Sequence, residues 1–252
     1  MTEIPEIRSE VSDAILTITI DRAAKKNALT TAMYDTLAEL LRNANSDPEV
    51  RALLLRSQGD VFSAGNDLAD FLENPPVDTG SPVFQFLQAL TDLEKPIVAA
   101  VQGAAVGVGT TMLLHCDIAI ASQEATFATP FVDLALVPEA ASSLLLPQRI
   151  GQQRASAMLM LGDALTARQA LEAGLIYAIH SADGLEEAAR EIAARLASKP
   201  PEALAATRRL LRKDGGAVAE RLNEEAALFG ERLISEETKG QIAQTLARIG
   251  KR

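Results

Sequence analysis

The 252-residue sequence has few side chains suited to binding metals or forming disulfides. Its only cysteine, Cys116, excludes an intramolecular disulfide and a multi-cysteine metal site. The two histidines, His115 and His180, do not fall into metal-ligand spacing, and no Walker phosphate loop is present. His115 and Cys116 precede an apolar strand, where packed core residues are commoner than a catalytic pair. We therefore expect no metal site and assign this pair no chemistry.

Basic residues are outnumbered by acidic ones, at 24 Lys plus Arg against 34 Asp plus Glu. The resulting net charge of −10 argues against a general electrostatic attraction to nucleic acid, so any polyanionic ligand must meet a local basic patch. One basic cluster is present, and we expect it to be a solvated helix face rather than a nucleic-acid-binding stripe. It consists of Arg208, Arg209, Arg212 and Lys213.

Long apolar runs are also missing. No run approaches the roughly 20 residues that a membrane-spanning helix needs, and the N-terminal MTEIPEIRSE lacks the basic-then-apolar pattern of a secretory signal. We expect a cytoplasmic protein without membrane insertion. The apolar fraction of 48% and the charged fraction of 23% are ordinary for a globular protein. The length suits one large domain, with or without a helical appendage.

Hydrophobic periodicity predicts an α/β body followed by a helical tail. Residues 14–22 alternate as a half-buried strand does, and residues 31–44 have the period of an amphipathic helix capped by Thr30 or Thr31. A helix should start near Asp67, and the proline-rich residues 74–82 should form a loop. Pro200 and Pro201 separate the tail helices. A buried strand is predicted at 50–55, and further strands are predicted at 97–101, 117–122 and 176–181.

Two glycine-containing loops each place backbone amides at the start of a helix: FSAGNDL at 62–68 and KPIVAAVQGAAVGVG at 95–109. The GxxxGxG spacing of the second loop is also used by short-chain dehydrogenases. Those enzymes require a tyrosine followed four residues later by a lysine, and here Ala38 and Ser181 follow Tyr34 and Tyr177. We reject that interpretation. Tight packing of a helix on a sheet remains an alternative role for these glycines.

Six segments resemble the enoyl-CoA hydratase/isomerase (crotonase) superfamily in order and spacing, over essentially the whole chain. They are KKNAL, FSAGNDLADF, KPIVAAVQGAAVGVG, CDIAIAS, ATFATPFVDLALVPEAASS and TARQALEAGL. The resemblance implies an α/β spiral of repeated strand-strand-helix turns in residues 1–195 and a helical oligomerisation region in residues 196–252. It implies a homotrimer or a dimer of trimers. The apolar tail positions Leu222, Leu228, Phe229 and Leu233 suit such an assembly.

The same resemblance implies an acyl-CoA thioester substrate and no cofactor beyond its CoA. The amides of Ala64 and Val108 would form an oxyanion hole, in which two oriented donors hold the charge that develops on the thioester oxygen. The family usually has glycine at the position of Val108, but a valine keeps the amide if its φ is negative. Lys26 could meet a CoA phosphate, although Lys25 and Lys26 could equally be a solvated pair. The substrate- and CoA-binding residues implied are Lys26, Ala28, Ser63, Ala64, Gly65, Asn66, Asp67, Leu68, Gly107, Thr111 and Phe131.

Two departures from the family pattern bear on the reaction. Hydratases of this family carry two glutamates, and the matching positions here are Thr111 and Phe131, neither of which can act as a base. Glu139, eight residues after Phe131, resembles the glutamate of the peroxisomal type of Δ3,Δ2-enoyl-CoA isomerase; related dehalogenases place an aspartate there. One carboxylate suffices for isomerisation, because it can remove a proton from C2 and return it at C4. The resemblance therefore favours an isomerase over a typical hydratase.

Other interpretations remain open from sequence. Glu139 could merely favour a helix N-terminus behind Pro138, and Asp133 is a second candidate base. If the apolar residues near Glu139 enclose it, they should raise its pKa. The same oxyanion hole supports hydration, dehalogenation, decarboxylation and thioester hydrolysis. A non-catalytic CoA-binding homologue and an RNA-binding relative are further alternatives.

Overall fold

The computed structural model describes residues 5–76, 78–212 and 215–249, and these contain two β-sheets surrounded by helices. The strands of the larger sheet are β1 (Ile7–Ser12), β2 (Ile15–Ile20), β3 (Ala52–Ser57), β5 (Ile97–Val101), β7 (Ile118–Ser122) and β10 (Ala178–His180). They lie in the order β1-β2-β3-β5-β7-β10, and the sheet is parallel except for the β1–β2 hairpin. The smaller sheet consists of β4 (Val61–Ser63), β6 (Ala104–Val106), β8 (Thr126–Ala128) and β9 (Leu165–Thr166).

The helices begin largely where capping residues predict. Thr30 caps the first helix through the Met33 amide, and Asp67 caps the second through the amides of Ala69 and Asp70. Pro201 occupies the first turn of the helix that spans Pro201–Leu211. The helices are α1 (Thr31–Ser46), α2 (Leu68–Glu73), α3 (Pro82–Asp92), α4 (Val108–Thr111), α5 (Ser142–Ile150), α6 (Gln152–Leu161), α7 (Ala167–Ala173), α8 (Leu185–Ala197), α9 (Pro201–Leu211), α10 (Gly215–Leu233) and α11 (Glu236–Ile249).

The chain repeats one path three times, which confirms the predicted spiral. In each turn a strand of the larger sheet leads to a strand of the smaller sheet and then to a helix: β3-β4-α2, β5-β6-α4 and β7-β8-α5. The short strands pair in parallel, with Ser63 opposite Ala105 and Ala105 opposite Phe127. Because parallel strands end at the same edge of a sheet, the starts of α2 and α4 lie near each other.

Both faces of the larger sheet are covered. One face packs on the main core, and α8 covers the other with Leu185 and Ala189 packed near Val98. The strand predicted at 14–22 was expected to be half-buried, but Thr17 and Thr19 are buried together with the apolar residues of β2. The prediction of one solvated face is therefore wrong. A helix far along the chain packs on this sheet face, which the local alternation does not reveal.

The C-terminal helices pack on the body of their own chain. Leu222, Phe229 and Leu233 are buried in the main core, whereas Leu228 is 47% exposed. The ring of Phe229 meets Phe71 edge-on, with ring centroids 6.3 Å apart. The expectation that these positions are available to a neighbouring subunit is thus wrong for Leu222, Phe229 and Leu233. The division of the chain at residue 195 stays a prediction.

The basic cluster of the tail is not one solvated face. Arg208 is only 7% exposed, and its Nε lies 2.9 Å from both carboxylate oxygens of Asp117. Arg212 approaches Asp117 at 3.2 Å and donates to the carbonyl of His115. The prediction of a solvated cluster is therefore wrong for Arg208 and Arg212, and Lys213 lies outside the described residues. Within the described ranges, no helix combines the length and apolar character needed to cross a membrane.

Candidate active site

The loops that lead into α2 and α4 pack backbone against backbone. Gly65 has a φ of +89°, and a Cβ on it would lie only 2.8 Å from the carbonyl oxygen of Val106. A Cβ on Gly109 would lie 2.9 Å from the carbonyl oxygen of Ser63. Larger residues would force the loops apart, so these glycines allow the close approach. The loops that lead into α2 and α4 are thereby brought together.

Most amides of the first loop are already hydrogen-bonded. The Ala64 amide donates to the Lys26 carbonyl at 2.9 Å, and the Gly65 amide donates to Oγ of Ser63 at 3.1 Å. The structure therefore contradicts the prediction that Ala64 supplies an oxyanion-hole donor. In the part of the chain that the structure describes, the amide of Asn66 has no protein acceptor. This residue takes the place of Ala64 in the candidate site.

The direction of the Asn66 amide follows from its neighbours. The Gly65 carbonyl accepts from the Leu29 amide at 2.8 Å, and the Asp67 amide donates to the Leu29 carbonyl at 2.8 Å. Successive peptide groups of an extended segment face opposite sides, so the Asn66 amide points away from Leu29. Gly65 meanwhile lies against the turn at Val106 and Gly107. The unused donor is thus adjacent to the second loop.

The second donor is the amide of Val108, the first residue of α4. Gly107 takes the positive φ of +56°, and Val108 is already helical, so its side chain causes no backbone strain. The carbonyl of Gly107 accepts from Thr110 and Thr111, which leaves the Val108 amide outside the helical ladder. No protein acceptor for it occurs in residues 5–76, 78–212 and 215–249. The predicted donor is available despite the valine.

Glu139 is hydrogen-bonded to the same short helix, α4. It is 2% exposed, and its Oε1 accepts a hydrogen bond from the hydroxyl of Thr111, one turn after Val108. Its Oε2 is buried without a protein donor among the described residues. Thr111 therefore holds the carboxyl group against α4, one turn after the Val108 amide.

The environment of Glu139 raises its pKa to about 8. Burial is the largest cause, the hydrogen bond from Thr111 acts in the opposite direction, and the charge of Glu225 adds to the increase. The direction agrees with the prediction from the apolar sequence around Glu139. A carboxyl group with a pKa near neutrality is well suited to accept and return a proton.

A strained segment positions Glu139. Ala140 and Ala141 have φ values of +61° and +53°, a left-handed conformation that costs on the order of 1 kcal/mol for each such residue. Nε2 of His115 lies 2.8 Å from the Ala140 carbonyl. Burial lowers the pKa of His115 to about 4, so the ring is neutral and donates from Nε2. His115 is therefore a structural support for this segment.

Tyr34 is a site residue that the sequence analysis missed. It is fully buried on α1, and its hydroxyl donates to the side-chain oxygen of Asn66. Burial and the charges of Glu139 and Asp70 raise its pKa, so the phenol stays neutral. A cavity of about 400 Å³ lies beside Tyr34 and Phe71 and reaches the loop before α3. The only sequence signal was that a buried tyrosine hydroxyl needs a partner.

Asp133 and Phe131 are the other candidate site residues near Glu139 in the sequence. Asp133 is exposed, and its Oδ2 lies 2.8 Å from where a Cβ of Gly162 would be, at the end of α6. This placement contradicts the interpretation of Asp133 as an alternative base, because its carboxylate is directed to the surface. Phe131 is buried, and a ring carbon lies 3.9 Å from the Cβ position of Gly107. It gives this side of the site an apolar wall.

The segments predicted to bind CoA lie side by side, because hydrogen bonds join residues 26–29 to residues 64–67. Lys26 has a left-handed φ of 53° and an exposed side chain. Ala28, Asn66 and Leu68 are partly exposed along this edge. These residues are placed where they could contact a ligand, and CoA binding by them stays a prediction.

The side chains of two residues predicted to line the CoA site, Ser63 and Asp67, have structural roles. Ser63 is fully buried and donates to the carbonyl of Asn27 at 2.9 Å. Asp67 caps α2 and forms a 2.7 Å ion pair with Arg22. Burial opposes ionisation of Asp67, but hydrogen bonds from Arg22 and from the Asp70 amide lower its pKa. Both the carboxylate and the hydroxyl stabilise the loop, whose backbone groups are the ones expected to meet the adenine of CoA, and CoA binding by Ser63 and Asp67 stays a prediction.

Comparison with known proteins identifies the family of this chain. The sequence profile described as enoyl-CoA hydratase/isomerase matches residues 10–245. The chain belongs to the enoyl-CoA hydratase/isomerase family. It is similar to the 1,2-epoxyphenylacetyl-CoA isomerase of Escherichia coli (strain K12), with 36% identity over 77% of each chain. It also resembles enoyl-CoA delta isomerase 2 of Rattus norvegicus, with 35% identity over 93% of this chain and 61% of that one.

A solved structure confirms the fold of the family. An enoyl-CoA hydratase/isomerase from Pseudoalteromonas atlantica T6c superposes with a TM-score of 0.92 at 40% identity, and the match covers 96% of this chain and 97% of the other. The mostly parallel sheets and the C-terminal helical region are therefore those of the crotonase fold, as the resemblance implied. Members of this family are enzymes that include isomerases and hydratases.

Proposed function

We propose that the protein is a Δ3,Δ2-enoyl-CoA isomerase in which Glu139 carries the proton. The observation that supports this assignment best is the single buried carboxyl group of Glu139, hydrogen-bonded to Thr111 on the helix that starts at Val108. The amides of Asn66 and Val108 would donate hydrogen bonds to the thioester oxygen. Lys26 and the partly exposed edge beside it would bind the CoA moiety.

The proposed reaction needs one base and one oxyanion hole. Glu139, as carboxylate, removes a proton from C2 of a 3-enoyl thioester, and the electron pair of that C–H bond moves to give an enolate whose charge lies on the thioester oxygen. The two amides stabilise this charge, and losing one such donor costs on the order of 2.7 to 4 kcal/mol. Collapse of the enolate forms the C2=C3 double bond, and the former C3=C4 electrons take the proton from Glu139 at C4.

Hydration fits the site less well. Adding water requires a group that activates it, and the two positions where hydratases of the family have glutamates hold Thr111 and Phe131. The hydroxyl of Thr111 is already committed to Glu139, and the Phe131 ring is apolar. The two curated relatives described above are both named as isomerases, which supports the same preference.

Conversion of 3-hexenoyl-CoA and crotonyl-CoA, followed separately by absorbance of the conjugated enoyl thioester, tests this proposal. We expect the wild type to convert 3-hexenoyl-CoA and to leave crotonyl-CoA largely unchanged. Glu139→Gln keeps the size of the side chain and removes the base, so the rate should fall by about 10² to 10⁴. Asp133→Asn, which changes an exposed carboxylate in the same segment, is the matched control and should retain near-wild-type activity.

The alternatives give different results in this assay. Rapid loss of crotonyl-CoA absorbance with no effect on 3-hexenoyl-CoA would assign a hydratase. Binding of CoA thioesters without turnover of either substrate would indicate a non-catalytic homologue. Near-normal isomerisation by Glu139→Gln would mean that Glu139 is not the base. Its only role would then be to favour a helix N-terminus, an effect worth about 0.3 to 1 kcal/mol.

A further inference from the structure

Three buried polar atoms that lack a protein partner belong to a single region of the molecule. They are Oε2 of Glu139, Oγ of Ser142 and Oε2 of Glu225, and all three are buried in the part of the chain that the structure describes. Buried polar groups are nearly always hydrogen-bonded, so a group of such atoms around a proposed catalytic carboxyl is unusual for purely structural packing. Glu225 has no role in the mechanism proposed above.

Glu225 reaches this region from α10, more than 80 residues later in the sequence. It is 4% exposed, and its Oε1 accepts a hydrogen bond of 2.9 Å from the amide of Ser143. Ser143 lies in the first turn of α5, whose N-cap residue, Ala141, has no side chain that could cap the helix. Glu225 therefore satisfies an amide that local sequence leaves unpaired.

A second contact strengthens the same link. Arg221, one turn before Glu225 on α10, donates to Oγ of Ser143 at 2.9 Å. The segment from Glu139 to Ser143 is thus held by Thr111 at its first residue, by His115 at Ala140 and by α10 at its last residue. Since Ala140 and Ala141 are in a strained conformation, such contacts are needed to keep the segment in place.

We propose that Glu225 is a positioning residue for the proton transfer, which holds the Glu139–Ser143 segment from α10 and brings a second acidic group to the surroundings of Glu139. This inference rests on the proposed function of Glu139. It assigns helix α10, which lies in the C-terminal helical region, a part in the chemistry, although none of the residues of α10 needs to touch the substrate.

Among the residues that the structure describes, the other groups that face Glu139 carry no charge. Thr111 on α4 is a hydroxyl, Tyr34 on α1 is a neutral phenol, and His115, which reaches the segment through Ala140, is a neutral imidazole. Glu225 on α10 is faced by Arg221, which favours its ionised form. Burial raises the pKa of Glu225, while the amides of Ser143 and Ala141 and the charge of Arg221 act in the opposite direction.

Two substitutions separate the electrostatic role from the positioning role. Glu225→Gln keeps an acceptor for the Ser143 amide and removes the charge, so the rise of kcat/KM with pH should move to lower pH by about one unit, with the plateau kcat retained. Glu225→Ala removes the acceptor as well, so the plateau kcat should fall about tenfold or more with little change in KM. Glu220→Gln, on an exposed position of the same helix, is the matched control and should change neither quantity.

A spectroscopic titration makes the test independent of turnover. The infrared band of the protonated Glu139 carboxyl, assigned by its loss in Glu139→Gln, should disappear at lower pH in Glu225→Gln than in the wild type. Glu225→Met, similar in length and uncharged, should give the same shift and replaces the glutamine variant if that variant does not fold. If the Glu139 carboxyl band disappears at the same pH in the wild type, Glu225→Gln and Glu225→Met, the inference is overturned. If the band shifts in the Glu225 variants but Glu139→Gln still isomerises the substrate, only the proposed reaction is refuted.

Discussion

At the scale of single residues, the burial of Glu139 combines a proposed catalytic advantage with a cost in stability. The pKa of its carboxyl group is raised from the ordinary 4.5 to about 8 because the side chain is buried with a single hydrogen-bond donor, Thr111. The folded state therefore holds a proton that the unfolded chain has already released between these two pH values. Folding stability must then fall as the pH rises through this window.

The stability of Glu139→Gln tests this linkage. Between about pH 4.5 and about pH 8 the wild type should lose up to about 1.4 kcal/mol of unfolding free energy per pH unit through this one group. The glutamine variant lacks that slope, so its stability relative to the wild type should increase with pH, whatever the fixed cost of the amide. Urea unfolding at several pH values measures the difference. A difference independent of pH would show that Glu139 ionises normally.

Lys26 provides a second prediction at this scale. Its side chain is exposed beside the loop that carries Asn66, and the protein is acidic overall, so a phosphate of CoA would need such a local positive charge. We expect Lys26→Ala to raise KM for the CoA thioester severalfold with kcat nearly unchanged. Lys25→Ala, which removes a neighbouring exposed lysine, should have little effect. Equal effects of the two substitutions would indicate a general charge effect instead.

Sequence could indicate some of these residues and not others. Glu139, Thr111 and Val108 follow from the family pattern, because each lies at a fixed position in a recognisable segment. The choice between the amides of Ala64 and Asn66 depends on which carbonyls of residues 26–29 lie opposite the loop, and this is a long-range property. Tyr34 and Glu225 were missed for the same reason, since their partners lie far away in sequence.

At the scale of structural elements, the site depends on the contact between the two loops. A Cβ on Gly65 would overlap the Val106 carbonyl, and the φ of +89° is itself unfavourable for alanine. We expect Gly65→Ala to destabilise the fold by about 1 to 3 kcal/mol and to reduce kcat, because the Asn66 amide would move relative to Val108.

Gly216 on α10 offers the opposite case for comparison. No atom lies within 4 Å of its Cβ position, so Gly216→Ala should raise stability by about 0.5 to 1 kcal/mol and leave kcat unchanged. Thermal unfolding and steady-state kinetics of both variants measure these effects. Normal activity in a well-folded Gly65→Ala protein would contradict the proposed role of the loop contact.

Elements with a strong period were predictable from sequence, and short ones were not. Helix α1 follows from apolar periodicity over many residues, and strand β5 follows from a continuous apolar run after Lys95 and Pro96. The three-residue strands β4, β6 and β8 are too short to have a period, and they exist because the spiral stacks them on one another. Helix α3 was not predicted, and it begins at Pro82, the last residue of the predicted proline-rich loop at 74–82.

At the scale of the whole molecule, apolar surface outside the core supports the proposed assembly. Met160 and Leu161 at the end of α6 are 68% and 70% exposed, and Val132 is 53% exposed. They lie near one another, because Gly162 faces Asp133. Adjacent exposed apolar residues often mark a protein interface. We propose that these residues contribute to a homotrimer or a dimer of trimers, in place of the buried tail positions.

The mass of the assembly in solution tests this proposal. Light scattering coupled to gel filtration should give a trimer or hexamer for the wild type and a smaller species for Leu161→Glu. Val11→Glu, at an exposed apolar position of the edge strand β1, serves as the control and should leave the mass unchanged. A monomeric wild type would refute the assembly. A cytoplasmic location of the protein likewise stays a prediction.

The central claim is that Glu139 alone moves a proton from C2 to C4, and isotope tracing tests it most directly. The experiment is a single turnover of 3-hexenoyl-CoA that carries deuterium at C2. The Glu139 side chain is 2% exposed, so the deuterium that it accepts should exchange slowly with water. We predict that part of the deuterium appears at C4 of the conjugated product, and that this transfer is lost in Glu139→Gln. Hydrogen at C4 that comes entirely from solvent, at an equal rate in both proteins, would contradict the account.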